Sequence, residues 1–321
     1  MPNEIFNDIQ QYFQKVADEK NNDDKSRDAP KVSTINGMRK MRGKNRKAIS
    51  SHVAFAYSYY YLITWLYRYA KYGEINIAVS DIKSILGYSK TSQEVDFIIK
   101  KNGILDSLNY TDTTTNYPIA WEYETELEFT LINDLDNYYK DSYRKSKGKN
   151  YRVKMPIKSF YRSEESRQED DGYDGLFFDP YDFHLIPFEV FMRCMDNKNL
   201  GVRGFYLYGF LSHKNNLYKE GYTVPIDELA DKAAIPLSTL ERVLDELRRY
   251  NMITCIHNQD FYVKGLEDAK ANTYKTNDYQ SYSFEPLEIH KMKMLSPDRY
   301  EKYLQSKNET DNVVKNLINN F

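Results

Sequence analysis

The chain has 321 residues, of which 41% are hydrophobic and 15% aromatic, and its formal net charge is −2. This length is typical of about two domains, and thirty tyrosines supply core area with a polar tip. Cys194 and Cys255 are too few for a disulfide framework or a cysteine-rich zinc site. No apolar run is long enough for a membrane span or a signal peptide. We therefore expect a protein of the reducing cytoplasm that inserts into no membrane.

Residues 1–47 predict an amphipathic helix followed by a flexible basic arm. Apolar residues recur at three-to-four spacing from Ile5 to Val16, which is typical of one helix face. Residues 22–47 are polar, charged and glycine-containing. The arm ends in six cations without an acid, namely Arg39, Lys40, Arg42, Lys44, Arg46 and Lys47. Such a run is typical of a polyanion-binding segment or of a solvated loop.

Residues 48–124 predict a first folded domain. The segment from Ala48 to Tyr72 is apolar over much of its circumference, which predicts a long buried helix closed by Gly73. A short β-like segment at 75–77 and two helical patterns follow, and Thr91 with Glu94 predicts a capping box at the second pattern. Segments 106–109 and 118–123 predict a hairpin across the polar TDTTTN tip.

Residues 125–187 predict a connector that is first basic and then acidic. Nine cations lie between Lys140 and Arg162 against one acid, Asp141, and residues 164–174 are mostly acidic. Four of these cations are candidate phosphate contacts: Arg144, Lys145, Lys147 and Lys149. A neutral chain that concentrates its cations in two segments is able to present a polyanion-binding face.

Residues 188–265 predict a second domain, built around IDELADKAAIPLSTLERVLDELRRYNMI from Ile226 to Ile253. Two short helical patterns are separated at Pro236, and S-T-L-E from Ser238 predicts a capping box. The second pattern places four apolar residues on one face: Leu240, Val243, Leu244 and Leu247. Two short helices crossing through a tight turn are a helix-turn-helix, whose second helix enters the major groove of DNA.

The flanking segments complete the second domain. An apolar helical segment precedes the pair at 201–211, and Tyr222–Val224 predicts a short strand. Two strand-like segments, 252–256 and 261–263, predict a hairpin across residues 257–260. The last segment, 266–321, predicts a peripheral or partly disordered tail whose final stretch is helical.

The first domain repeats the spacing of apolar residues found in the second. Residues 82–89 align without gaps on 229–236 at an offset of 147, while Val95, Ile99 and Leu105 fall on apolar partners at an offset of 148. Internal repetition of this kind indicates one architecture used twice.

The order of helix, short strand, helix, turn, helix and hairpin resembles the winged helix-turn-helix superfamily. Its pattern is carried by Leu229, Ala230, Ile235, Ser238, Thr239, Leu240, Leu247 and Ile253. Two copies joined by a basic connector look like the replication initiator proteins of plasmids and phages. The resemblance covers 48–124 and 188–265 and implies a mainly α fold with small β-hairpins, of class α+β. It further implies sequence-specific binding of double-stranded DNA at repeated origin sites.

Carried over residue by residue, the resemblance implies three groups of DNA contacts. The base-reading positions at the helix entrances are Lys90, Ser92, Gln93, Ser238, Thr239 and Arg242. The wing contacts are Tyr110, Thr111, Thr113, Asn116, His257, Asn258 and Gln259. The two basic segments neutralise phosphates and supply sequence-independent affinity. Arg242 has the planar fork that pairs with guanine, and Gln93 suits adenine.

Three acids, Asp96, Asp245 and Glu246, lie on or beside the implied DNA faces. In such families one winged helix is often converted to dimerisation, so a homodimer stays open. A transcriptional regulator with the same parts is one alternative. The other is a replisome-assembly or helicase-loading module in which winged helices contact proteins such as a helicase or its loader.

No sequence pattern predicts an enzyme. The chain lacks a phosphate-binding G-x-x-x-x-G-K-[ST] loop, an H-E-x-x-H pair and a G-x-S-x-G elbow, and its five histidines are scattered. Tyr138 and Tyr139 have no paired histidines for the metal that a nicking tyrosine requires. We therefore expect no catalysis, metal or cofactor.

Overall fold

The computed structural model describes residues 1–22, 46–124, 127–148, 151–159, 182–263 and 270–319, with the backbone alone for 16–22, 46–49 and 311–319. Helices predominate, and the sheets have two or three strands each. The chain therefore mixes α and β structure, in agreement with the predicted α+β class at this level.

Most helices of residues 1–159 precede the strands. In chain order the elements are α1 (Ile5–Asn22), α2 (Arg46–Arg68), α3 (Lys71–Glu74), α4 (Val79–Ile85), α5 (Asp96–Ile99), α6 (Ile104–Ser107), β1 (Thr111–Thr114), β2 (Pro118–Tyr123), β3 (Leu127–Leu131), α7 (Asn137–Lys147) and β4 (Val153–Pro156). Short 3-10 turns at Ile132–Asp134 and Ile157–Ser159 follow β3 and β4.

In the rest of the chain that the structure describes, helices and strands alternate. In chain order its elements are α8 (Phe188–Asp196), α9 (Gly201–Leu217), β5 (Tyr222–Val224), α10 (Ile226–Lys232), α11 (Leu237–Arg249), β6 (Ile253–Ile256), β7 (Phe261–Val263), β8 (Asn272–Thr276), β9 (Lys293–Leu295) and α12 (Pro297–Asn319). A 3-10 turn, Tyr279–Ser281, lies between β8 and β9.

Helix α2 is the central element of the core, as its sequence predicts. Every side chain from Val53 to Ile63 is buried, so the helix is enclosed on all sides over this stretch. It packs against α1, α9 and β4. Two of its buried tyrosines illustrate how a hydroxyl is bonded there: the Tyr60 hydroxyl pairs with Ser159 at 2.8 Å and the Tyr61 hydroxyl donates to the Ile186 carbonyl at 2.8 Å. Those bonds remove the cost of burying a phenol without a partner.

The predicted closure of this helix by Gly73 is wrong. Helix α2 ends at Arg68, Ala70 takes a left-handed conformation with φ of 50°, and Gly73 lies inside the short α3. A Cβ on Gly73 would lie 2.7 Å from Ile119 Cα. Gly73 is therefore required for the close approach of α3 to β2.

The predicted hairpin of the first domain is also wrong. Residues 104–107 form helix α6, and β1 pairs antiparallel with β4, which lies in the segment expected to be a connector. Strand β2 pairs antiparallel with β3 instead. The β-like segment at 75–77 forms no strand, and the carbonyls of Ile75 and Ile77 accept from the Lys147 ammonium and the Tyr151 hydroxyl. The pattern indicated one strand, 118–123, but it placed the turn where β1 forms and did not indicate the strand partners.

A three-stranded antiparallel sheet, in the order β5-β8-β6, packs on α9 and α11. Strand β6 thus pairs with β8, and the predicted hairpin of β6 with β7 is wrong. Strand β7 pairs in parallel with β9, and α12 packs on β7. Tyr303 and Lys307 of α12 donate to Asp260 at 2.7 and 3.0 Å. Residues 297–319 are therefore helical, as the sequence predicts, and α12 is attached to the second domain. The predicted peripheral tail from 266 is wrong for β8, which is the middle strand of the sheet and buries Tyr274.

Candidate nucleic-acid interface

Helices α10 and α11, the second helix pair, form as the sequence predicts. The chain turns through Ala234, whose φ is 52°, and Ile235 is buried in this turn. Leu240, Leu244 and Leu247 are buried on one face of α11, which packs on α9. The opposite face is left to solvent at Ser238, Glu241 and Arg242.

Ser238 is not the cap of α11. The helix begins at Leu237 with Pro236 as its N-cap residue, and no side-chain capping bond is made. The Thr239 amide instead donates to the Pro236 carbonyl at 2.8 Å, so it needs no hydroxyl partner. The Ser238 side chain is therefore exposed in the first helical turn, beside the half-buried Thr239.

Arg242 lies against the loop between α8 and α9. Its Nη1 donates to the Asn199 carbonyl at 2.8 Å. A guanidinium has five N–H donors, so this bond uses one of them and fixes the direction of the group. Four N–H donors remain for a base, but the bond to Asn199 restricts the direction in which they point.

The acids near α11 are paired with cations. Asp245 lies 2.6 Å from the Lys291 ammonium and 3.4 Å from Arg248, and Glu246 lies 4.0 Å from Arg249. These pairs reduce the repulsion that an approaching phosphate would meet.

In the first domain, the segment aligned with the start of α11 is not helical. Helix α5 begins at Asp96, so the predicted capping box of Thr91 and Glu94 does not form. Lys90, Ser92 and Gln93 lie on the turn from Ser89 to Val95, which we call the 89–95 turn. The turn is held by Lys83, which is buried and donates to the Ser92 carbonyl at 2.7 Å.

The charges around the 89–95 turn are arranged in pairs. Lys90 donates to Asp81 at 2.8 Å, and Asp96 binds the ammonium groups of Lys83 and Lys100. Burial opposes ionisation of Asp96, but hydrogen bonds from Lys100 and Lys83 keep its pKa below the usual value. The Gln93 side chain is exposed and makes no hydrogen bond to the residues that the structure describes.

The placement of residues 110–116 at a wing tip is wrong. Tyr110 and Thr111 are buried, and their hydroxyls donate to Asp8 at 2.9 Å and to Asp106 at 2.5 Å. Thr113 is half-buried inside β1, and the Asn116 side chain accepts from the Asn133 amide at 3.0 Å. The β1–β4 pairing explains this, because it places the segment within a sheet.

His257, Asn258 and Gln259 do follow β6 at the edge of the second sheet. His257 pairs with Asn272 at 3.1 Å, while Asn258 donates to the Ala271 carbonyl at 2.7 Å. Gln259 accepts from the Lys270 amide at 2.8 Å. These side chains therefore connect residues 257–259, which follow β6, to residues 270–272 at the start of β8.

The structure describes part of the two basic segments. Arg39, Lys40, Arg42, Lys44 and Lys149 lie outside the described residues, as do the side chains of Arg46 and Lys47. Helix α7 carries the remaining three candidates. Arg144 and Lys145 are exposed, whereas the Lys147 ammonium contacts the Tyr151 ring and its pKa is lowered by burial.

An aromatic cluster lies at the end of α2, and the spacing of its residues in the sequence is that of a buried helix face. Tyr61, Trp65 and Tyr69 recur at four-residue spacing and line a cavity of about 200 Å³ together with Arg68 and Tyr123. The signal in the sequence is an arginine inside an otherwise aromatic helical face. Among the described residues no group of histidines, cysteines and carboxylates is placed to hold a metal ion. None of the described helices has the length and hydrophobicity needed to cross a membrane.

Comparison with family models, curated proteins and solved structures found no match for this chain.

Proposed function

We propose that the protein binds double-stranded DNA sequence-specifically through the second helix pair and its sheet, as a replication initiator of a plasmid or phage does. The observation that carries the proposal is the order β5-β8-β6 beside α9, α10 and α11. A leading helix, a short edge strand, two crossing helices and two returning strands are the parts of a winged helix-turn-helix. In that fold the second helix of the pair enters the major groove.

The exposed side chains support this use of α11. Ser238 and Thr239 in its first turn and Arg242 one turn later are hydrogen-bonding residues at the end of the helix that enters the groove. Base-edge contacts from such positions supply specificity, while lysines and arginines elsewhere supply affinity. Helix α7, with Arg144 and Lys145 exposed, fits the second role.

The first domain fits a supporting role in the proposal. Its counterpart of α11 is a turn followed by the four-residue α5, and Lys90 in this turn is paired with Asp81. A single exposed Gln93 offers less base-edge chemistry than α11 does. We therefore assign base reading to the second domain first.

The test is selection of bound duplexes from a random DNA library at fixed salt. An enriched direct repeat supports the initiator, and a single palindrome supports a dimeric transcriptional regulator. Arg242→Ala is expected to weaken the selected site by about 1–3 kcal/mol and to relax one base pair, with little effect on random DNA. Arg299→Ala, which removes an exposed arginine from α12, is the matched control.

A protein-interaction module is the second candidate, favoured by the exposed Leu237 and Glu241 beside the tethered Arg242. An apolar residue and an acid on the presented face suit a protein better than a phosphate backbone. No enriched sequence in the selection, together with unchanged duplex binding in Arg242→Ala, would favour this candidate over DNA reading.

A further inference from the structure

The end of α2 forms an open pocket with aromatic walls, which we call the aromatic pocket and define by Tyr61, Trp65, Arg68, Tyr69 and Tyr123. Its volume is about 200 Å³. Trp65 is fixed as one wall, because it stacks on Phe188 with ring centroids 4.0 Å apart and planes 11° apart. Tyr69 and Tyr123 are 37% and 55% exposed, so two rings of the pocket are accessible to a ligand.

Arg68 gives this pocket a charged and incompletely bonded group. Its guanidinium lies 4.4 Å from the Trp121 ring centroid and 5.2 Å from that of Tyr69. Its Nη1 is buried and has no hydrogen-bond partner among the described residues. Burial lowers the pKa of Arg68, which is the direction expected for a guanidinium that pairs with no carboxylate of the described residues.

The size and the chemistry of the pocket restrict the ligand. Pockets that enclose drug-sized ligands measure roughly 300–1,000 Å³, so a cavity of about 200 Å³ admits one planar ring system with its substituents. Aromatic walls favour a flat π-surface, and an arginine stacked on a tryptophan presents its N–H fork to an anion. A nucleobase attached to a phosphate has both features.

We propose that the aromatic pocket binds a single nucleotide, with the base against the aromatic rings and the phosphate at Arg68. The nucleotide comes either from a single strand of nucleic acid or from a free nucleoside monophosphate. Stacking on aromatic side chains and cation contact by arginine are the means by which proteins hold single strands without reading their sequence. The pocket uses none of the residues of the second helix pair. It therefore goes beyond the proposed duplex binding and is testable without it.

The two tryptophans of the chain provide a specific signal. Trp65 lines the pocket and Trp121 stacks on Arg68, and the chain contains no other tryptophan. The experiment titrates the full chain with an oligothymidylate, with thymidine monophosphate and with a duplex of random sequence, following tryptophan fluorescence. We expect the oligothymidylate or the monophosphate to change the fluorescence saturably. A fluorescence change with the oligothymidylate but not with the monophosphate assigns the pocket to single strands. A fluorescence change with both ligands assigns the pocket to free nucleotides as well.

Substitutions connect the signal to the pocket. Tyr69→Ala is expected to weaken binding by about 5-fold to 150-fold, the effect of losing one stacked base. Arg68→Ala is expected to weaken it by about 10-fold to 150-fold, the range for a hydrogen bond to a charged group. Arg68→Lys keeps the charge without the planar fork, so its affinity should lie between those of Arg68→Ala and the parent chain. Arg299→Ala and Phe284→Ala remove an exposed arginine and an exposed aromatic ring elsewhere, and they should bind like the parent chain.

Circular dichroism and the unfolding midpoint of each variant test whether its fold is kept. A variant that does not fold is replaced by Tyr123→Ala, whose ring is more exposed than that of Tyr69. The proposal is overturned if neither the oligothymidylate nor the monophosphate changes the fluorescence. It is equally overturned if Arg68→Ala and Tyr69→Ala bind as tightly as the two controls.

Discussion

Lys83 and Asp96 form an ion pair beneath the 89–95 turn. Their side chains are 8% and 13% exposed, and Lys83 also donates to the Ser92 carbonyl. The aligned residue of the second domain is the buried Ala230. The first domain therefore places a charge where the second has a methyl group, and its 89–95 turn depends on one buried cation and its partner.

Removal of the Asp96 carboxylate should destabilise the protein. Asp96→Ala leaves the buried Lys83 ammonium without its counter-charge, and breaking a buried pair in this way costs about 3–5 kcal/mol. The exposed Lys100 shares Asp96, so we expect a loss near the lower end, about 3 kcal/mol. Urea unfolding measures it. Lys90→Ala breaks the exposed pair with Asp81 but keeps the Asp81 carboxylate that accepts from the Ala78 amide, and it serves as the control, which should unfold close to the parent.

His184 is a second buried group with a defined set of bonds. Its Nε2 lies 2.8 Å from the Tyr57 hydroxyl and its Nδ1 lies 2.9 Å from Asn3 Oδ1. Because Asn3 Oδ1 is an acceptor, Nδ1 carries the proton and Nε2 accepts from Tyr57. Burial, followed by the charges of the N-terminal amine and His213, keeps the pKa of His184 well below 6.5.

This depressed pKa predicts a dependence of stability on pH. Below pH about 6.5 the unfolded histidine takes up a proton that the folded His184 does not bind, so the free energy of unfolding decreases as the pH is lowered in that range. His184→Gln removes this contribution. We expect its free energy of unfolding to decrease less than that of the parent chain when the pH is lowered from about 7.5 to about 5.5. Equal decreases in the two proteins, measured by urea unfolding, would contradict the assignment of a neutral buried His184.

At the scale of elements, helix α7 presents cations on its solvent side. Arg144 and Lys145 are exposed, while Lys140 donates to the Asn133 carbonyl at 2.9 Å and Lys147 lies against Tyr151. The helix thus anchors itself with two of its lysines and leaves the other two cations to solvent. The helix packs on the 3-10 turn Ile132–Asp134 that follows β3.

The double variant Arg144→Ala with Lys145→Ala tests whether α7 touches phosphates. If both cations do, the slope of log K against log salt for duplex binding should shrink by about 0.9 for each phosphate that the variant no longer neutralises. Binding to random and selected duplexes should weaken alike. Arg299→Ala with Lys302→Ala removes two exposed cations from α12 and should leave the slope unchanged. An unchanged slope in the α7 variant as well would return α7 to the role of a solvated helix.

Helices were predictable from the sequence, whereas strand partners were not. Spacing indicated α1, α2, α10 and α11, because a helix is specified by residues three and four apart. Strand β1 pairs with β4, which is distant in sequence. Strand β6 pairs with β8 and not with β7, the strand that follows it in the chain. Such pairings depend on which edges meet in three dimensions, and a polar tip such as TDTTTN is equally suited to a turn or to a strand.

The faces of the candidate site could be predicted from the sequence, but the contacts of its side chains could not. The buried and exposed faces of α11 followed from periodicity, but the bond from Arg242 to Asn199 joins positions 43 residues apart. The aromatic pocket was not predictable, because Tyr61, Trp65 and Tyr69 have the spacing of a buried face. The proximity of Tyr123 and the exposure of the Tyr69 and Tyr123 rings distinguish the pocket from core.

At the scale of the whole molecule, the leading helices of the two domains pack against each other. Helices α2 and α9 share one continuous hydrophobic core with α1, in which Phe6 stacks on Tyr57 at 5.1 Å and contacts Tyr206 at 5.8 Å. Gln10 of α1 donates to the Tyr206 hydroxyl at 2.7 Å and to the Lys232 carbonyl at 3.2 Å. The two helix pairs are thus attached to a common core, which fixes the distance between them.

Gly209 allows α2 and α9 to approach closely, since a Cβ there would lie 2.2 Å from the Tyr57 hydroxyl oxygen. In an isolated helix Gly→Ala stabilises by about 1 kcal/mol, but here the methyl group must displace Tyr57 and its bond to His184. We expect Gly209→Ala to lower the free energy of unfolding by about 1–3 kcal/mol, the usual cost of overpacking a core. Because one core joins both domains, the whole transition should shift to lower urea without splitting. Far-ultraviolet circular dichroism and tryptophan fluorescence should report the same midpoint.

The control for this variant lies on the same helix. Asn216→Ala, at an exposed position of α9, should unfold near the parent midpoint, because its side chain is not part of the shared core. Two separate transitions in Gly209→Ala would mean that the domains fold independently. The α2–α9 contact would then not fix the distance between α4–α5 and α10–α11, and each of these two units would bind its partner independently.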